Sequence, residues 1–420
     1  MPFKPGIYEH YKGRYYEVLG TSLHSETREV LVLYKPLYGY PEQRDFQYFV
    51  RPLKMFEEII TVKGIPRPRF QYIRPVPQHF LLIDDNVYGL QEISDPLAID
   101  IINTPQMQRL KQINQYGVYD LLDPKLFTSR FDHCVGVYLL LHHLGASREE
   151  QISGLLHDIS HTAFSHVADY IFNDQEGQTI HENFHHQVIF ESAIPSLLTK
   201  AGMDPQHVAN EQNFSLLEQP TPNLCADRVD YFLRDAQVVG IITKEEVQKI
   251  LSHLQNYSLK NDSHLSNHQG MIVLNDSKVA LFYAQAFLRL VREFYTSSIQ
   301  AGSYQLMGNI LKIAFEKKIL QEPDLFGTDR EVLEKLHQSK NPKILQMLNT
   351  MSYQTILNST KENYTFQSTS KARYVDPLVL VNHQLIRTSQ LYPELIEEIE
   401  ALKRRCKDGY YILIKEMKQN

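Results

Sequence analysis

Cysteine is scarce in this 420-residue chain, and the three present, Cys134, Cys225 and Cys406, form no CxxC pair. That argues against a disulfide framework and a zinc ribbon, and it suits a reducing, cytoplasmic setting. Long apolar runs are also missing. Stretches such as Val137 to Leu141 fall far short of the roughly 20 residues a membrane-spanning helix needs, and Met1-Pro2-Phe3-Lys4-Pro5-Gly6 has no apolar export core. No membrane association is expected. Nor is there an excess of positive charge: the formal net charge is −6, which argues against a general nucleic-acid binder. No internal repeat or low-complexity tract interrupts the chain. What is there is 43% apolar residues, ample for real cores, in a chain long enough for two or three domains.

Residues 1–74 read as a small all-β, barrel-like domain. Tyr15 to Gly20 and Glu29 to Tyr34 are β-branched and aromatic runs, punctuated by Lys12-Gly13 and Tyr38-Gly39-Tyr40-Pro41. This segment holds twelve Lys and Arg against eight Asp and Glu, so it is mildly basic on an otherwise acidic chain. Contact with a polyanion is one reading of that surplus; ordinary surface charge is the favoured one. Arg67-Pro68-Arg69 and Arg74-Pro75-Val76-Pro77 form a proline-stiffened connector. From Asp95 the pattern turns helical, with Thr104-Pro105 as N-cap and first residue of one helix, a second beginning near His133 and stopping at Gly145, and Ser147 capping a third that runs to about Ser160. Cys225 to Gly240 and Val279 to Ile299 are helical by period, and Met271 to Leu274 is a strand in a hairpin. The expected fold is mainly α: a helical domain over 75–327, the β-barrel before it, and a C-terminal α+β region over 328–420 with strands at Pro377 to Val381 and Tyr410 to Ile414.

The chemistry sits in three stretches: Arg130-Phe131-Asp132-His133, then His157-Asp158 with His161 and His166, then Asp227-Arg228-Val229-Asp230-Tyr231. Adjacent His157 and Asp158 offer a metal one imidazole nitrogen and one carboxylate oxygen, and His133 and Asp227 can complete a mixed set. His157 and His161 share a helix face if the helix continues past Asp158, and His166 and Asp169 would share another. Burying so many ionisable groups costs on the order of several kcal/mol each unless they are paired or metallated. Cys134 and Cys225 lie nearby but read as buried apolar packing.

These words, in this order, resemble the HD-domain superfamily, specifically its deoxynucleoside triphosphate triphosphohydrolase branch. The likeness extends through Asp84 to Glu92, Asp95-Pro96-Leu97, Ile101 to Leu110 and Asn114-Gln115-Tyr116-Gly117. The N-terminal words His10-Tyr11-Lys12-Gly13, Tyr16 to Gly20 and Arg51 to Phe56 resemble a small bacterial domain of uncharacterised function. The superfamily resemblance implies a helical bundle, a nucleotide substrate, oligomers in many members, and one divalent ion (Mn, Fe, Mg or Zn) held by His133, His157, Asp158 and Asp227. It implies proton chemistry by His161, His166 and His181, with Asp169 orienting a histidine, and His185 and His186 as rivals to His181. Arg130 and Arg228 would bind phosphate oxygens, and Gln115, Tyr231 and Asp235 would face the sugar. Asp230 and Arg234 read as a surface or intrahelical ion pair.

Two departures bear on the substrate. Where the family carries an arginine before an Ala-Tyr-Gln word, this chain has Gln300-Ala301-Gly302-Ser303-Tyr304-Gln305, and Arg228 stands where lysine is more usual. The leading expectation is hydrolysis of dNTPs to deoxynucleoside and triphosphate. A second keeps the metal site for a nucleoside mono- or diphosphate or another phosphoester. A third makes the protein a nucleic-acid-associated binder acting through residues 1–74.

Overall fold

The computed structural model describes residues 4–38, 48–76, 80–171, 180–258 and 270–415, and the chain divides into two compact units, 1–103 and 104–420. The alternating aromatic and β-branched residues of the first unit build a five-stranded antiparallel sheet in the order Phe49–Pro52, Val30–Pro36, Arg14–Leu23, Gly6–His10, Phe70–Arg74. Strand period places Tyr8, Val18, Val32, Tyr34 and Phe70 in one buried cluster. Phe56, from the short helix Leu53–Phe56, caps it by stacking on Phe70 at 4.0 Å between centroids.

The expected barrel is not formed. Among the described residues no pairing joins the two edge strands, so the sheet stays open. Two hairpins, Ile59–Val62 with Ile65–Pro68 and Leu81–Asp85 with Gly89–Ile93, complete the strands of this unit. The second is tied to the sheet by Asp84, whose carboxylate accepts from the Tyr15 amide at 3.1 Å. The proline connector therefore lies inside the first unit.

In the second unit the cap signals hold locally. Thr104 accepts from the Met107 amide with Pro105 at the first helical position, Ser129 from Asp132, and Ser147 from Glu150. The expected helix Val279 to Ile299 breaks instead into Ser277–Leu290, a π-turn at Val291–Tyr295, and a new helix Ser298–Glu316. The Thr296 hydroxyl donates to the Val291 carbonyl at 2.8 Å and Ser297 caps the new helix, so two small hydroxyls reset the chain and direct Tyr295 inward. That new helix carries Met307, Ile310, Leu311 and Ala314 into a core shared with Phe164, Ile344, Ile356 and Ile412.

The class is mixed rather than mainly α: 47% of the described residues are helical, and two further sheets lie in the second unit. One runs Leu254–Ser258, Gly270–Leu274, Leu378–Val381, Gln384–Arg387, and the other Ile356–Ser359, Tyr410–Ile414, Phe366–Ser368. Strand Leu378–Val381 pairs in parallel with Gly270–Leu274, so the C-terminal strands are continuous with earlier structure. No described helix is long and apolar enough to cross a membrane.

Candidate active site

The helix Arg130–His143 puts Arg130 and His133 on its first turn, both buried. It packs against the helix Ala226–Val238, and Gly136 makes the approach possible: a Cβ there would strike Asp230 and Arg234. Because of that approach the Asp230 carboxylate, fully buried, reaches the His133 Nδ1 at 2.7 Å while taking Arg234 at 2.9 and 3.1 Å. Asp230 and Arg234 are thus an intrahelical pair, as read from spacing, but a buried one that sets the ring of His133.

The helix Arg148–Leu156 stops at Leu156, earlier than its apolar period suggests, and His157 is its C-cap. His157 and His161 therefore do not share a helix face. The chain instead winds through turns to His166, with Phe164 and Ser165 both at positive φ, 60° and 50°. That left-handed pair is held from afar: Asp329 accepts from the Phe164 amide at 2.7 Å and from the Asn114 amide at 2.8 Å. The Ser165 hydroxyl donates to the Asn114 carbonyl at 2.6 Å and accepts from Arg130 Nε at 3.0 Å. Residues from three stretches are so locked together.

Four side chains converge within this frame. The His133 and His157 Nε2 atoms are 3.1 Å apart. An Asp227 oxygen lies 3.0 Å from the first and 3.5 Å from the second, and an Asp158 oxygen 3.5 and 3.7 Å from the same two atoms. The outer nitrogens decide what these atoms can do. His157 Nδ1 lies 2.8 Å from the Gly154 carbonyl, which only accepts, so Nδ1 carries the hydrogen; His133 Nδ1 likewise donates to the Asp230 carboxylate. Once their inner protons are displaced, both rings present Nε2 lone pairs to each other and to two carboxylates. Such a nest of donors is satisfied by a cation. The same demand shows in the proton equilibria: burial holds the His157 imidazole down, yet Asp158 and Asp227 outweigh it and push it up to about 10. Against burial, the two imidazoles hold the Asp227 carboxyl far below its usual range. Residues and geometry fit a divalent ion with mixed nitrogen and oxygen ligands.

The donors open onto a cavity of about 770 Å³. Arg130 pairs with Asp158, whose other oxygen accepts from His161 Nε2 at 3.2 Å. His166 Nδ1 donates to Asp169 at 3.1 Å; burial, then Arg130 and Arg373, push this imidazole down to about 3. On the far side Gln115 Nε2 donates to Asp235 at 3.3 Å and the Tyr295 hydroxyl donates to its other oxygen. Burial pushes the Asp235 carboxyl up to about 7, against those hydroxyl bonds. The buried Gln115 Oε1 has no hydrogen-bond partner among the described residues, and the Tyr231 ring sits 6.2 Å from that of Tyr295.

Arg228 lines the cavity, but its guanidinium is committed to the loop behind it, donating to the Asn223 carbonyl at 2.7 Å and the Gln219 carbonyl at 3.1 Å. The side chain of His181, in helix Ile180–Phe190, lies outside the described residues. His185 lines the cavity and donates to the Leu156 carbonyl at 3.1 Å, whereas His186 stacks on Phe190.

Four further residues line the cavity, Lys371 and Arg373 in a stretch where the family resemblance is weak. Tyr295 arrives through the π-turn, Glu211 is pushed up to about 8 by burial and the neighbouring carboxylates of Asp158 and Asp227, and Lys371 and Arg373 reach the cavity from the C-terminal region. The word Lys371-Ala372-Arg373 is visible as a basic cluster, but only tertiary contact gives it a place.

A family model described as HD domain matches residues 130–235, and one described as a protein of unknown function (DUF1653) matches 6–72. Among curated proteins, the chain is 35% identical to the uncharacterized protein YdhJ of Bacillus subtilis, over 79% of this chain and 98% of that one. It is 31% identical to the metal-dependent phosphohydrolase cns2 of Cordyceps militaris, over 63% and 75%. It is 26% identical to the human deoxynucleoside triphosphate triphosphohydrolase SAMHD1, over 58% and 45%. A crystal structure of a hypothetical protein from Aquifex aeolicus shares the fold at a TM-score of 0.54 and 19% identity, covering 76% of this chain and 93% of that chain. The HD match spans the helices and turns that carry the converging donors, and by that match and these relatives the chain belongs to the HD-domain family of metal-dependent phosphohydrolases, with a DUF1653 domain ahead of the catalytic one.

Proposed function

We propose that the cavity hydrolyses a phosphoester of a deoxynucleotide, releasing triphosphate from dNTPs, with a divalent ion held by His133, His157, Asp158 and Asp227. The observation that carries this is the facing pair of imidazole lone pairs between two carboxylates, with both outer nitrogens already tied off. When bound, such an ion acidifies a water and neutralises phosphoryl oxygens.

The protein groups have separable tasks. Arg130 steadies Asp158 and presents charge to a phosphoryl oxygen. His166 is oriented by the bond from its Nδ1 to Asp169 and is uncharged at neutral pH. An entering phosphate offsets Arg130 and Arg373 and raises its basicity, so the imidazole takes a proton from solvent and then donates it to the leaving oxygen. His161 is oriented by Asp158, and His181 shares the proton work from the neighbouring helix. Asp235 and Gln115 accept from and donate to a sugar hydroxyl, and the Tyr231 ring narrows the space beside it. Lys371 and Arg373 supply cationic charge where Gln300 replaces the family's arginine.

A second reading, a nucleoside mono- or diphosphate substrate, draws on one observation: Arg228 gives one terminal nitrogen to loop carbonyls and the other to the Glu218 carboxylate at 3.4 Å, leaving a long phosphate chain fewer arginine contacts. A nucleotide turnover screen with several divalent cations and product identification by mass spectrometry separates the two. Triphosphate as product supports the first; orthophosphate from a shorter nucleotide supports the second.

A further inference from the structure

The family match over residues 6–72 carries no function, yet one end of its sheet is chemically distinctive. His10 ends the strand Gly6–His10, opposite Arg14 on one side and Phe70 on the other. Its ring lies 4.3 Å from that of Tyr11, 4.7 Å from Phe70 and 6.1 Å from Tyr16. Burial, then the charges of Arg51, Arg69, Lys12 and Arg67, push its imidazole down to about 4, so it stays uncharged at neutral pH. The aromatic surface continues through the Tyr16 and Tyr38 hydroxyls, 2.6 Å apart, with the Arg14 guanidinium 4.6 Å over the Tyr38 ring.

The four cations around His10 differ in what balances them. Arg69 is paired with Glu58 at 2.5 Å. Among the described residues the others meet neutral groups: Arg51 donates to the Tyr34 hydroxyl at 3.4 Å, Arg67 donates to the Tyr11 carbonyl at 2.7 Å, and the Lys12 ammonium lies 5.8 Å over the Tyr11 ring. Among the described residues Glu58 is the one carboxylate paired with these four cations, so the like charges repel one another, and a bound polyanion relieves that repulsion.

We infer that this end of the sheet binds single-stranded nucleic acid, with Lys12, Arg51 and Arg67 on phosphates and the rings of Tyr11 and His10 against bases. An anionic lipid surface or an acidic peptide would use the cations but has no need of half-buried rings interleaved with them. Unpaired bases do, because every base offers a π-face. A duplex hides those faces, so the single strand is the form that fits.

The test is fluorescence anisotropy of the full-length protein with a short fluorescein-labelled oligodeoxythymidylate. Three phosphate contacts on a single strand predict an affinity loss of about 20-fold between about 50 and about 200 mM salt. Lys12→Gln with Arg67→Gln should cut the salt slope to about one third of its value. Tyr11→Ala should weaken binding about tenfold, while Tyr11→Phe retains it. Circular-dichroism melting confirms that each variant is folded, and the wild-type salt slope and the Tyr11→Phe result stand even if another variant is not. No binding at the lower salt, affinity indifferent to all three changes, or tighter binding of phosphatidylglycerol vesicles in competition would each overturn the inference.

Discussion

Both units bury aromatic and aliphatic side chains, but they treat charge differently. In the first, the sheet's core is hydrocarbon and aromatic ring, Tyr8, Val18, Val32, Tyr34, Phe56 and Phe70, the buried Asp84 and Asp85 accept from backbone amides, and the charged groups around His10 stand at the rim. In the second, His133, Asp158, Asp230, Arg234 and Asp235 are themselves buried. Charge at a rim costs a fold little. Charge inside is tolerated only where each group has a partner, and in the second unit the partners form a chain from Arg234 through Asp230 to His133 and on to Asp227. The contrast locates the chemistry: the second unit gathers its buried charges on one another around a single cavity, whereas the buried carboxylates of the first, Asp84 and Asp85, are spent on backbone amides.

The strongest way to break this contrast is Asp158→Ala. It removes one converging oxygen and the partner of both Arg130 and His161, so turnover should fall by more than about a thousandfold, several kcal/mol of transition-state stabilisation. Steady-state assays with added metal check it; retained activity would dissolve the distinction between the units. The counterpart in the first unit is Phe56→Ala, which empties the stack on Phe70. A loss of roughly 3–5 kcal/mol of stability is expected in denaturant titration, with turnover per folded molecule unchanged.

Asp235 sharpens the contrast through pH. Its folded carboxyl lies at about 7 against an ordinary 3.8, so the folded state holds a proton that the unfolded chain releases. Its protonation therefore supports stability most fully below about pH 4, and that support is lost as pH rises through about 7. Asp235→Asn removes the ionisation, so the variant should gain on wild type as pH rises to 8, by roughly 4 kcal/mol at most, and the gain should vanish near pH 4. Melting temperatures across that range test it; a gain that grows toward acid would reverse the sign. The mildest expectation is Asp230→Asn, which leaves His133 in place but weakens its orienting acceptor. Metal affinity should drop about 10- to 100-fold by calorimetry.

Much of this was legible in the sequence because it is local. Thr104 and Ser147 mark helix starts, whereas the helix expected from near His133 begins at Arg130 behind Ser129, and the strands at Leu378–Val381 and Tyr410–Ile414 follow from short β-branched or aromatic runs. The His/Asp words named the stretches whose side chains meet. What was not legible depends on distant partners. Nothing near Leu156 stops its helix, since His157, Asp158 and Ile159 are all compatible with another turn; the left-handed residues beyond are held by Asp329, 165 positions along from Phe164. The open edge of the first sheet, the buried setting of Asp230, and the reach of Lys371 and Arg373 into the cavity are likewise tertiary facts. Arg228 looked like a phosphate contact by position, and only the course of the loop behind it shows where its donors go.

The central claim is that the facing imidazoles and carboxylates hold a cation, and the direct measurement is elemental analysis of the purified full-length protein beside its His157→Ala variant. The account predicts one divalent ion per wild-type chain and a large loss in the variant, with both proteins folded. Equal metal in the two, or turnover by a wild-type protein that holds none, would contradict it.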